Sequence, residues 1–131
     1  MATRETVFPA NPHALFEQHG YSPAIRSGSL LFVSGQVGAR EDGSPEPDLK
    51  KQVHLAFENL RKILEAAGCS FEDVMDVTTF HIDAEASLPH LIEAKQKAFP
   101  QKPYPNLTAV GVTWLAGFQF EIKVIARIPG A

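Results

Sequence analysis

A chain of 131 residues, 44% hydrophobic and 21% charged, has material for one domain with a sizeable buried core. A formal net charge of −3 with no basic cluster excludes binding driven by phosphate neutralisation, so no nucleic-acid partner is expected. The single cysteine, Cys69, excludes an intrachain disulfide, and no stretch has the character of a signal peptide or membrane span, so a cytoplasmic protein is expected.

In chain order, a short strand is expected around Thr6–Phe8. Tyr21–Arg26 and Leu30–Gln36 read as two strands joined by the hairpin turn Ser27-Gly28-Ser29. The stretch Ala39–Pro47 (AREDGSPEP) is a loop, because Asp42-Gly43 and two prolines interrupt regular structure. Asp48 then stands as the N-cap of a helix. Leu49, Val53, Ala56, Phe57, Leu60, Ile63, Leu64 and Ala67 recur at spacings of three and four, giving that helix one broad apolar stripe. Gly68 occupies the place where a left-handed residue ends it.

The β-branched and aromatic run Val74–Asp83 predicts a strand. A second helix is predicted over Ser87–Phe99 with Ser87 as its cap, and Gln101–Asn106 (QKPYPN) is irregular because of its two prolines. Leu107–Trp114 and Phe118–Ile128 are the last strands. The order ββ–α–β–α–ββ predicts a single α+β domain over residues 1–131, with two helices on one face of a mixed sheet. The other face would carry apolar residues such as Leu30 and Phe32, and an uncovered apolar face marks an oligomer interface.

The last strand places one carboxylate, Glu121, among apolar neighbours, either meeting solvent or facing a cleft. Tyr104, held between Pro103 and Pro105, supplies either a site hydroxyl or a ring packed over a turn. Thr108 is a candidate hydrogen-bond donor or an ordinary strand threonine. The five histidines have no metal-ligand spacing, and no phosphate loop or nucleophilic triad is present, so neither metal nor cofactor is expected.

Taken together, GSLLFVSGQ at Gly28–Gln36, LEAAG at Leu64–Gly68, VTTF at Val77–Phe80, VGV at Val110–Val112 and Glu121-Ile122 resemble the Rid family. This family is also written RidA/YjgF, L-PSP or RutC-like. The segments SGQVGAREDG, PYPN and FEIKVIARIP look most similar to its YjgH branch. The resemblance implies a chorismate-mutase-like fold assembled as a homotrimer, with a small-molecule cleft at each subunit boundary. The ligand it implies is a reactive or carboxylated metabolite. In the deaminase members an arginine clamps the substrate carboxylate and a glutamate directs water onto an enamine or imine.

Carried over residue by residue, the glutamate falls on Glu121, while the arginine falls on Leu107, or on Asn106 after a shift of one. A family tyrosine falls on Ala24 and a helix asparagine on Glu93. Ser34, Gly35, Tyr104 and Thr108 complete the implied lining, and Arg26 is the candidate replacement cation. The implied activity is an imine or enamine deaminase-type hydrolase of altered substrate range, with efficient 2-aminoacrylate deamination disfavoured. The alternatives are a metabolite-binding protein without turnover and, disfavoured by acidic charge, a ribonuclease.

Overall fold

The computed structural model describes residues 4–130. Six strands form one sheet: β1 (Glu5–Val7), β2 (Ala24–Ser27), β3 (Leu30–Val37), β4 (Val74–His81), β5 (Asn106–Gly111) and β6 (Phe120–Arg127). Their spatial order is β1-β2-β3-β6-β4-β5, antiparallel throughout except for the parallel β4–β5 pair. Helix α1 (Leu15–His19) is short; α2 (Leu49–Ala66) and α3 (Ala84–Ala98) carry the chain from β3 to β4 and from β4 to β5. The last strand thus inserts between β3 and β4, so the centre of the sheet closes only when the whole chain is present.

The α2 stripe buries Val53, Ala56, Phe57, Leu60, Ile63 and Leu64 against Leu31, Val33, Val77 and the even-numbered residues of β6. Asp48 caps the helix as expected, accepting the Lys51 backbone N–H at 2.9 Å, and Gly68 follows its end with φ of 78°. The second long helix starts three residues earlier than its apolar spacing indicates, because Asp83 rather than Ser87 caps it. Ser87 is buried instead. Its hydroxyl donates to the Asp83 carbonyl at 3.0 Å and accepts from His81 Nδ1 at 2.6 Å, while His81 Nε2 meets the Thr79 hydroxyl at 2.9 Å. Burial depresses the His81 pKa below 6.5, so this neutral imidazole stitches β4 to the start of α3.

Both long helices lie on one face of the sheet. On the other, the paired rows bring out Ile25, Phe32 and Ile125, and beside them Phe80 and Val110. Phe32 is 40% exposed and Val110 38%. The expected uncovered apolar face is therefore present in the chain.

Candidate functional site

Along β6, Phe120, Ile122, Val124 and Ala126 turn beneath the helices, which sends Glu121 to the open face. Its row partners are Phe80 on β4 and Val37 on β3. Between Val33 and Gln36 the β3 strand carries an extra residue, so Ser34 and Gly35 share the space opposite Lys123. This bulge presses Gly35 against the carboxylate. A Cβ at Gly35 would overlap Glu121 Cδ and Oε2, so only glycine permits the approach. The Ser34 hydroxyl donates to the Ser22 carbonyl at 2.7 Å, tying the bulge to the segment that carries Tyr21.

Glu121 is half-buried and has no cation within 4.0 Å among the described residues. Burial raises its pKa above 4.5, and outweighs the opposing charge of Lys123. Tyr21 senses the same carboxylate: burial first, then the Glu121 charge, holds its hydroxyl above 10. The Tyr21 ring is set edge-on to Phe16 at 5.2 Å. A desolvated carboxylate beside a neutral phenol can take a proton from water while the phenol donates a hydrogen bond.

This arrangement opposes folding at neutral pH. A carboxyl with a raised folded pKa contributes most below its unfolded value of 4.5, and that contribution is lost as pH rises through the folded value. Glu121→Gln is therefore expected to stabilise the chain at pH 7, by less than about 1 kcal/mol because the group is partly solvated. Thermal melts at pH 7 and at about pH 4 check this: the gain should vanish at the lower pH.

The other expected site residues separate into two groups. Leu107 pairs with buried Val77, which puts it on the helix side of the sheet, opposite to Glu121. It is 41% exposed and shares a narrow crevice with Phe57, Leu91, Phe99 and Tyr104. Tyr104 is exposed, with the Lys95 ammonium 5.5 Å from its ring centre. Asn106 and Thr108 pair with Asp76 and Thr78 and so lie on the open face; Asn106 Oδ1 accepts the Val77 N–H at 3.3 Å. Within one chain, the Glu121 and Leu107 positions cannot touch the same ligand.

Two expectations are corrected, and a third position is placed. Arg26 pairs with buried Leu31, so it lies on the helix side, where its Nε donates to the Gly28 carbonyl at 3.3 Å and lies 3.9 Å from Glu5. It cannot serve as the cation for Glu121 in its own chain. Ala24 is fully buried beneath the helices and supplies nothing to a site; the tyrosine brought to Glu121 is Tyr21, three residues earlier. Glu93 sits on the exposed helical surface, where Lys50, His54 and Lys97 surround its carboxylate and hold its pKa low. The signal for Tyr21 was available, since it is one of two tyrosines in the chain and the only one ahead of the hairpin.

Among the described residues, no group of three or more His, Cys, Asp or Glu side chains is placed to hold a metal ion. No helix among them is long and apolar enough to cross a membrane. Cys69 is buried with its Sγ 3.9 Å from the Arg127 carbonyl, and burial raises its thiol pKa, which leaves it unreactive.

Comparison with known proteins agrees with this geometry. The chain is 63% identical over 129 residues to the RutC family protein YjgH of Escherichia coli K12, covering 98% of each chain. A solved structure titled Protein YJGH superposes with a TM-score of 0.94 at 62% identity, over 99% of this chain and 100% of that one. A Dermatophagoides farinae protein named 2-iminobutanoate/2-iminopropanoate deaminase is 31% identical over 111 residues, covering 82% of this chain and 85% of that one. The family model described as Endoribonuclease L-PSP matches residues 11–128. With its sheet, helices and nearly its whole length accounted for, the chain belongs to the L-PSP family, also called Rid or YjgF.

Proposed function

We propose that three copies of this chain associate through their open sheet faces and enclose small-molecule clefts, in which Glu121 drives hydrolysis of an imine or enamine. The observation that carries this reading is the half-buried, unpaired Glu121 carboxylate pressed against Gly35, with Tyr21 within its field. In the reaction, Glu121 takes a proton from water as its oxygen adds to the C=N carbon. Glu121 returns that proton to nitrogen, giving a carbinolamine; the hydroxyl proton then passes through Glu121 to the same nitrogen as the C–N bond breaks, so a carbonyl and ammonia leave. Glu121 and Leu107 lie on opposite faces of one sheet, so the cleft is completed by a neighbouring copy that brings its β5 edge to Glu121.

The substrate range differs from that named for the dust-mite relative, whose imines carry a carboxylate. A desolvated charge-assisted clamp on such a group contributes roughly 2–5 kcal/mol, and Leu107 can supply none of it. Imines with an apolar group at that position are the expected substrates. The same leucine favours a second reading, a metabolite-binding protein that turns nothing over. Ribonuclease activity is disfavoured, because the chain carries a formal net charge of −3 and no basic cluster along its sequence.

Imines generated in situ by amine and amino-acid oxidases, with survivors trapped by semicarbazide, distinguish these readings. Accelerated decay that disappears in Glu121→Ala supports hydrolysis. No acceleration across the panel, or acceleration unchanged in Glu121→Ala, removes the catalytic reading; thermal stabilisation by an unconsumed compound then supports binding alone.

A further inference from the structure

On the helix side of the sheet, the segment Pro9–Phe16, the bend Ala39–Glu41 and α2 enclose a cleft of about 480 Å³, within the range of small-ligand sites. It is distinct from the Glu121 site, because Gln36 faces this cleft while its neighbour Gly35 faces the carboxylate. Gln36 is 1% exposed. Its amide nitrogen donates to the Ser34 carbonyl at 2.9 Å, but its Oε1 has no hydrogen-bond partner among the described residues. Buried acceptors are normally satisfied, so one left open at a cleft floor calls for a donor.

The neighbouring groups narrow the chemistry. The Asn59 amide nitrogen is committed to the carbonyls of Val37 and Ala39 at 3.0 and 3.1 Å, which leaves its Oδ1 as a second acceptor. Two cations border the opening. Arg40 reaches the Ser44 hydroxyl at 2.9 and 3.1 Å, and neither Arg40 nor Lys62 has a carboxylate within 4.0 Å among the described residues. Phe16 and Ile63 supply apolar wall. The cleft therefore combines acceptors at its floor, two cations at its mouth whose charges also reach Asp42 and Glu58, the Glu41 carboxylate in its lining and an apolar side.

We infer that this cleft binds a free α-amino acid with an apolar side chain. The carboxylate lies between Arg40 and Lys62, the ammonium group faces the Gln36 and Asn59 oxygens, and the side chain rests on Phe16 and Ile63. A 2-oxo acid would satisfy the cations but leave the acceptors open; an amine would do the reverse.

Isothermal titration with L-leucine, 4-methyl-2-oxopentanoate and isopentylamine separates these cases, since the three share one carbon skeleton. Leucine is expected to bind once per chain, with the oxo acid and the amine each weaker by roughly tenfold or more. Lys62→Met and Arg40→Met should each weaken leucine about tenfold. Both side chains are exposed, so the melting temperature should hold and separate lost binding from lost folding. Glu121→Gln should leave leucine binding unchanged. The inference is overturned by absence of leucine binding, by equal binding of the oxo acid, by full affinity in both cation variants, or by loss of binding in Glu121→Gln.

Discussion

Gly35→Ala is expected to lower Glu121-dependent turnover by roughly a hundredfold while the fold survives, because a displacement of about 1 Å at a reacting group has that effect. The added methyl would occupy the place of Glu121 Cδ and Oε2, which are the movable end of a side chain and not backbone. The carboxylate must therefore swing away, and the strand can stay. A double-mutant cycle sharpens the expectation. In a Glu121→Ala background the clash is gone, so Gly35→Ala should be close to neutral for stability, whereas alone it should be measurably destabilising. Additive effects on melting temperature would show that Gly35 is constrained by something other than Glu121.

Phe120→Ala should have the largest effect on stability, about 3–5 kcal/mol, or a fall in melting temperature of roughly 10–20 °C. Phe120 is fully buried, stacks on Phe57 at 6.2 Å and meets His81 edge-on at 5.3 Å. It lies on the strand that joins the two halves of the sheet, one residue before Glu121. The cavity left between β6 and α2 cannot close easily, because Phe57 also packs on Phe71 and Phe99. Calorimetric melts check the value; a fall of only a few degrees would mean that the aromatic layer rearranges to fill the space.

These two residues also mark what could be read from the sequence. The alternation of β6 is plain in the chain, so the burial of Phe120 and the opposite orientation of Glu121 follow from period two alone. The α2 stripe was equally legible, since six of its apolar residues are buried at helical spacing. The beginning of α3 was not, because Ala84, Glu85 and Ala86 carry no apolar periodicity and the real cap is Asp83. Helix α1 was missed as well: it has five residues and buries only Phe16. The strand expected through Trp114 ends at Gly111, and Trp114 is left 75% exposed.

The site was legible in its parts and not in its arrangement. Glu121 and the glycine of SGQ stand out as residues, but the bulge that presses one on the other depends on a register shift between strands far apart in sequence. Placing Leu107 opposite to Glu121 likewise needs two registers, β5 on β4 and β4 on β6. Tyr21 was missed through an error of three positions, and Arg26 through its parity on an edge hairpin.

The central claim is that Glu121 works in a cleft that one chain cannot close. Sedimentation equilibrium over a wide concentration range tests it most directly. A single species of three chain masses is expected down to the lowest concentration, with Phe32→Glu on the open face releasing single chains that no longer act on imines. A wild-type protein that sediments as one chain would contradict the claim.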